Sequence, residues 1–244
     1  MKKIIKVGCC GFPLAKKTYC QQFPAIEINI SFYQLPSEEI AAKWRREAPK
    51  DFEFTMKAWQ LITHPANSFT YRRLREKIPD SKKKNYGFFR DTDEVFGAWE
   101  RTKKIARILK ASIILFQCPG SFKPTDENIN NLTNFFQSIK CDNYLLAWEP
   151  RGAWPADLIK DLCKKINLIH CVDPFHHKPL YGKLNYYRMH GSWQGEQIDY
   201  FYDYSLRELK HLLEICDKKV NYCFFNNSEM LKNALRFSGE LLKK

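Results

Sequence analysis

The sequence predicts an α/β fold, a single parallel (β/α)8-like barrel, and three observations predict it. Eight short apolar runs of β type recur along the 244 residues, separated mostly by segments of helical pattern. Most runs end in a polar or charged residue, as expected where the C-terminal ends of barrel strands meet at one mouth. The length matches the roughly 250 residues of such a barrel, and 44% hydrophobic residues supply a sizeable core.

Strand one is Ile4-Ile5-Lys6-Val7-Gly8, after which Gly11-Phe12-Pro13 turns the chain over the mouth. Strand two, 26–30, alternates strictly: Glu27 and Asn29 face the interior, while Ile26, Ile28 and Ile30 face the outer helices. Ser37 before Glu38 and Glu39 is an N-cap with acidic residues in the first turn, and this helix ends near Ala48-Pro49. Strand three ends at Lys57. The 54 residues from 58 to 111 are too many for a simple crossover. They predict a long functional excursion at the mouth and then a helix over 93–110.

Strand four, Ser112-Ile113-Ile114-Leu115-Phe116-Gln117, precedes a helix capped near Thr125 and running to 140. Strand five, Tyr144-Leu145-Leu146-Ala147-Trp148-Glu149, leads through Pro150-Arg151 to a helix over 155–165. Strand six ends at Asp173. The short stretch before strand seven holds Pro174, Pro179 and Gly182, so the sixth helix is expected to be missing. Strand seven is Tyr186-Tyr187-Arg188-Met189-His190. A loop with Trp193 follows, then a helix near 205–216, strand eight ending at Asn226-Asn227, and a last helix over 229–242. With no repeat and no linker, 1–244 reads as one domain.

The formal net charge is +13. Residues 72–90 hold Arg72, Arg73, Arg75, Lys77, Lys82, Lys83, Lys84 and Arg90 against only Glu76 and Asp80, with Phe69, Tyr71, Tyr86, Phe88 and Phe89 beside them. Cations interleaved with aromatics suit a single nucleic-acid strand, although a basic loop is commonly a solvated face. The nine cysteines contain no C-x-x-C spacing, which predicts buried reduced thiols; Cys9 and Cys10, at the mouth end of strand one, are the ones to test for reactivity. No run approaches the roughly 20 apolar residues of a membrane span. Met1-Lys2-Lys3 lacks a signal-peptide pattern, so a soluble, cytoplasmic protein without a membrane partner is expected.

The chain resembles the domain of unknown function 72 (YecE-like) family over essentially its whole length. The matching segments are Val7-Gly8-Cys9-Cys10-Gly11-Phe12, Glu27-Ile28-Asn29-Ile30-Ser31-Phe32-Tyr33-Gln34-Leu35-Pro36, Phe54-Thr55-Met56-Lys57-Ala58 and Ile62-Thr63-His64. Further on come Leu115-Phe116-Gln117-Cys118-Pro119-Gly120-Ser121-Phe122, Glu149-Pro150-Arg151 with Trp154, Tyr187-Arg188-Met189-His190-Gly191 and Phe224-Phe225-Asn226-Asn227. The resemblance implies a TIM-type barrel but no settled activity. Two departures stand out. Cys10-Gly11-Phe12 replaces the usual Ser-Gly-Trp, and Arg151-Gly152-Ala153-Trp154 keeps the aromatic of a Glu-x-Arg-x-x-Ser-Trp pattern but loses its hydroxyl.

Strand-end residues that packing does not require form the candidate site. Glu149, His190, Glu27, Lys57 and Asp173 are the candidate catalytic groups. Arg151, Arg188, Asn29, Gln117, Asn226, Asn227 and Trp154 are candidates for binding substrate. Arginines clamp phosphate or carboxylate, and His190 suits proton transfer near neutral pH. A lysine on a barrel strand also has Schiff-base chemistry open to it if buried. The expected function is therefore a hydrolase- or lyase-type enzyme using acid–base chemistry on an anionic small molecule or nucleic acid. One alternative is a divalent-metal phosphodiesterase using Glu149, Asp173 and His190, with Glu27 as a further ligand. Another is a non-catalytic nucleic-acid or nucleotide binder that stacks bases on Trp59, Trp154 and Trp193. The bland alternative is an internal ion-pair lattice, with Glu27 on Lys57 and Glu149 on Arg188.

Overall fold

Alternating inward and outward side chains build the molecule from the middle outwards. The computed structural model describes residues 3–140, 144–195 and 197–241. In chain order its elements are β1 (Ile4–Cys9), α1 (Lys16–Gln22), β2 (Ala25–Ile28), α2 (Glu38–Glu47), β3 (Glu53–Lys57), α3 (Gln60–Thr63), α4 (Asp93–Leu109), β4 (Ile113–Gln117) and α5 (Asp126–Ser138). They continue with β5 (Leu145–Glu149), α6 (Ala156–Lys165), β6 (Ile169–Val172), β7 (Asn185–Met189), β8 (Ser192–Gln194), β9 (Gln197–Asp199), α7 (Leu206–Ile215), β10 (Val220–Phe225) and α8 (Met230–Arg236).

Eight strands hydrogen-bond in the order β1-β10-β7-β6-β5-β4-β3-β2. Every pairing in that sheet is parallel. A parallel bridge from Cys10 to Glu27 joins the two end strands, so the sheet is a nearly closed TIM-type barrel, as the strand runs predict. Inward residues Ala25, Ile113, Leu115, Ala147, Ile169, Cys171, Tyr186, Tyr222 and Phe224 form one apolar cluster inside it. Their neighbours of opposite parity, among them Ile26, Phe54, Ile114, Phe116 and Trp148, join a second, larger cluster with residues of the surrounding helices. Two residues further toward the mouth, the same inward parity brings Glu27, Lys57, Gln117, Glu149, Asp173, Arg188 and His190. Backbone closeness matters at β1, where a Cβ on Gly8 would lie 2.2 Å from the Ala25 carbonyl oxygen.

Several expectations change. Strand two stops at Ile28, and Ile30–Phe32 is a 3-10 turn, leaving Ile30 53% exposed instead of packed under a helix. Ser31 is the cause: its hydroxyl lies 2.6 Å from both the Ile28 and Lys57 carbonyl oxygens, giving the backbone a side-chain partner where the strand would have continued. The sequence reading placed no helix at α1; its Tyr19 hydroxyl accepts from the Cys9 amide at 2.7 Å and donates to the Ala25 carbonyl at 3.0 Å. The Trp193 loop is an antiparallel hairpin, β8 on β9. Gly191 precedes it at φ +126°, where a Cβ would meet the Asp199 carbonyl oxygen. The last helix ends at Arg236 and continues as a π-type turn, Phe237–Leu241; position 242 lies outside the described residues.

Other expectations hold. No helix lies between β6 and β7. The caps at Ser37 and Thr125 form as read. The stretch from 58 to 111 makes α3, two 3-10 turns and α4, and docks through Gly87 and Phe89 amides onto Leu61 and Ile62 carbonyls. No helix among the described residues is long and apolar enough to cross a membrane. Ser205 and Glu208 form a reciprocal capping box at α7. Ser205→Ala is therefore expected to cost about 1 kcal/mol, read as a lower urea midpoint with unchanged slope.

Candidate active site

Arg188 is the centre of the mouth and is fully buried. Its Nε lies 3.1 Å from both Glu27 oxygens and its Nη2 2.9 Å from Oε1. Its Nη1 donates to Glu149 Oε2 at 2.5 Å and to Gln117 Oε1 at 3.3 Å. Glu27 also accepts from the Tyr186 hydroxyl at 2.8 Å, and that hydroxyl meets Thr55 at 2.8 Å. Burial opposes the Arg188 charge, but Glu27 and Glu149 outweigh it and hold the guanidinium protonated. Glu27 is thus tied to Arg188 rather than to Lys57. This much of the site is an ion-pair lattice, and Arg188 has no free face for a substrate anion.

The second half of the site centres on Asp173, His190 and Arg151. Asp173 Oδ2 accepts from the His190 amide at 2.9 Å and from the Trp193 indole at 2.9 Å, and lies 3.2 Å from His190 Nδ1. Its Oδ1 accepts from the Phe175 amide at 3.1 Å. With Nδ1 toward Asp173, His190 presents Nε2 to Arg151 Nη2 at 2.9 Å and Arg188 Nη1 at 3.2 Å. Burial lowers the His190 pKa, and the two arginines add to that against Asp173 and Glu149, so the imidazole is neutral at pH 7. Glu149 pairs with Arg151 as well as Arg188. Its own burial would raise its pKa, but Arg151, Arg188, His190 and Lys57 together hold it well below the usual carboxylate range.

Arg151 is half-buried, and its Nε is a buried donor with no partner. It borders a cavity of about 870 Å³ whose walls include Gln117, Lys123, Glu149, Trp154, Lys178 and Tyr200. Lys57 is 6% exposed and its ammonium stands 3.8 Å from the centre of the Phe32 ring. Burial first, then Arg188, lowers its pKa to about 7, against Glu149 and Glu27.

The remaining candidates divide. Trp154 is a wall: its indole donates to the Phe122 carbonyl at 2.8 Å and its ring stacks on Phe122. Asn29 Nδ2 reaches Asn226 Oδ1 at 3.5 Å, leaving Asn29 Oδ1 buried and unpartnered beside the mouth. Asn227 is not part of this group; its amide donates to the Tyr202 carbonyl and Asn233 Oδ1, tying β10 to the loop before α7. Sequence reasoning passed over Tyr186, Lys123, Lys178 and Tyr200. Tyr186 had a visible signal, the same inward parity as Arg188.

The donor set does not fit a divalent ion. Among the described residues no group of three or more His, Cys, Asp or Glu side chains is arranged to hold one, and Glu27, Glu149 and His190 Nε2 all face guanidinium groups. His64, just after α3, is buried against Phe32, and burial with Lys57 nearby drops its pKa to about 3. Cys9 and Cys10 are both buried, and burial pushes their pKa values up, Cys9 to about 12, which disfavours the reactive thiolate. All eight described cysteines are free, and Cys141 lies outside the described residues. Of the five aromatics beside the basic segment, only Phe69 is exposed, at 72%; Phe89 is fully buried among Phe116, Phe122, Phe135 and Phe136. Trp59 is likewise buried, so it offers no face to a base.

A nearly closed set of parallel strands with a buried charged network at its C-terminal mouth defines a TIM-type barrel. The chain belongs to the family described as "Protein of unknown function DUF72", whose profile matches residues 15–244. A DUF72 family protein from Enterococcus faecalis superposes with TM-score 0.74 at 21% identity, covering 100% of this chain and 99% of that one. One from Thermotoga maritima gives 0.69 at 23% identity, covering 99% and 100%. UPF0759 protein YunF of Bacillus subtilis is 29% identical over 114 residues, which span 46% of this chain and 34% of YunF. More distant barrels share the fold alone, such as a xylose isomerase domain containing protein from Salmonella typhimurium (TM-score 0.62, 12% identity, covering 98% and 96%).

Proposed function

We propose that the protein is an enzyme, of hydrolase or lyase type, that acts on an anionic, phosphate-bearing substrate by acid–base chemistry at the barrel mouth. The observation that carries this is the Asp173–His190–Arg151 set. Asp173 orients a neutral imidazole whose Nε2 is the basic atom, and the guanidinium covering that atom has a donor to spare. A substrate anion drawn to Arg151 would take the nearer of the two guanidinium groups off Nε2, leaving Arg188 Nη1 at 3.2 Å and opening that atom to proton transfer, with Glu149 holding the charge balance. Lys57, whose pKa burial lowers to about 7, supplies a further titratable group. Lys123 and Lys178 add positive charge to the cavity wall. A cavity of about 870 Å³ is of a size for a small molecule.

A nucleic-acid strand is the second anionic substrate to consider, because Arg72, Arg73, Arg75 and Lys77 stay exposed on the excursion. An endonuclease IV from Thermus thermophilus shares the fold at TM-score 0.55 and 9% identity, which brings no residues to this argument.

The test is a thermal-shift screen of inorganic phosphate, sugar phosphates, nucleotides and oligonucleotides. At least one phosphate-bearing ligand should raise Tm, since a ligand at 100 times its Kd adds about 2.7 kcal/mol. Arg151→Ala should weaken that ligand at least tenfold. If no ligand shifts the parent protein, or Arg151→Ala responds unchanged, the reading is wrong.

A further inference from the structure

Lys57 is a charged strand-end residue of the mouth whose placement the ion-pair lattice does not explain. It closes β3 on the inward parity, and the Ser31 hydroxyl holds its backbone carbonyl at 2.6 Å. Its ammonium has no hydrogen bond or ion pair with any described residue. The carboxylates near enough to act on it, Glu27 and Glu149, have given their oxygens to Arg188, Arg151 and Tyr186. What it has instead is the face of Phe32. The other charged or titratable groups acting on its surroundings are Arg188 on β7, Arg151 after β5 and His64 after α3. A cation kept for stability would be paired; an amine held without an acceptor, with guanidinium groups nearby, has its nitrogen lone pair available.

We propose that Lys57 is a covalent nucleophile that forms an imine with a small anionic carbonyl compound, an aldehyde or ketone bearing phosphate or carboxylate. This rests on the reading of the mouth as an anion-binding acid–base site, and names the substrate class. The Nζ lone pair forms a C–N bond to the carbonyl carbon as the C=O π pair moves to oxygen. The proton lost by nitrogen neutralises that oxygen, giving a carbinolamine. A second proton transfer to the hydroxyl expels it as water while the C=N bond forms. One amine and one carbonyl become one imine and one water, with no oxidant or reductant. Arg151, close enough to act on the Lys57 charge, is assigned the anionic group, and His190, hydrogen-bonded to Arg151, is assigned the proton transfers. Uptake of one proton from solvent converts the imine into an iminium, which withdraws electrons from the neighbouring carbon and suits cleavage or proton abstraction there.

The test uses pyridoxal 5′-phosphate, an anionic aldehyde, followed by borohydride reduction of the folded full-length protein and peptide mapping by mass spectrometry. Lys57 should be labelled at pH 7 at least tenfold faster than exposed Lys82, Lys83 and Lys84, with a rate half-maximal near pH 7. Arg151→Ala should slow the labelling of Lys57 but not of those exposed lysines. Labelling confined to exposed lysines overturns the proposal. If inorganic phosphate still stabilises the parent but not Arg151→Ala in that case, the anion site stands and only the covalent role falls. If phosphate also has no effect, both fall together.

Discussion

Arg188→Met is expected to destabilise the fold by about 3–5 kcal/mol, because it strips the cation from between two buried carboxylates. Glu27 is fully buried and Glu149 is 3% exposed, and Arg188 is hydrogen-bonded to both across the barrel. Without it, Glu27 keeps only the Tyr186 hydroxyl among the contacts described above, while Glu149 retains Arg151. The substitution keeps volume and removes charge, so the loss is electrostatic rather than a cavity. The double variant Glu27→Gln/Arg188→Met should recover about 1 kcal/mol or more, since paired sites in one network couple by about 0.5–3 kcal/mol. Urea unfolding of the four proteins in the cycle measures this. A single variant within about 1 kcal/mol of the parent would sink the lattice interpretation.

Lys57→Met is expected to do the opposite and stabilise the protein near neutral pH, by about 2–4 kcal/mol at about 1.4 kcal/mol per tenfold change. The amine titrates at about 7 when folded against 10.5 as its ordinary value. Between those values the unfolded chain binds a proton that the folded chain does not, so parental stability rises with pH across that window. Below pH 7 the penalty for the buried cation is at its full size. Methionine has no such proton. The advantage of Lys57→Met should therefore be greatest below pH 7 and fade toward pH 10, as read from Tm against pH for both proteins. A Lys57→Met protein less stable than the parent at pH 6 would show that the ammonium is well accommodated, and would also weaken the case for its nucleophilic role.

These opposite outcomes come from residues that look alike in the sequence, each a cation near the end of an apolar run. Their inward direction was legible, because period-two alternation against Ala25, Ile113, Ala147 and Tyr186 decides which side chains enter the barrel. Their pairing was not. Glu27 on β2 meets Arg188 on β7 across the full width of the barrel. No spacing along the chain encodes that distance. For the same reason the excursion's length and its following helix were readable, yet the burial of Phe89 and the docking of His64 beneath Phe32 were not.

By itself, then, the sequence determined the eight barrel strands, the missing sixth helix, the caps at Ser37 and Thr125, and the gathering of polar strand ends at one mouth. These are local properties, set by period, caps and chain stops. Only the tertiary structure decided which mouth residues neutralise one another and which are left over, because closing the barrel sets strands distant in sequence face to face. That closure ties Arg188 to two carboxylates and turns His190 toward Arg151. It leaves Lys57 against a phenyl ring with no acceptor for its amine.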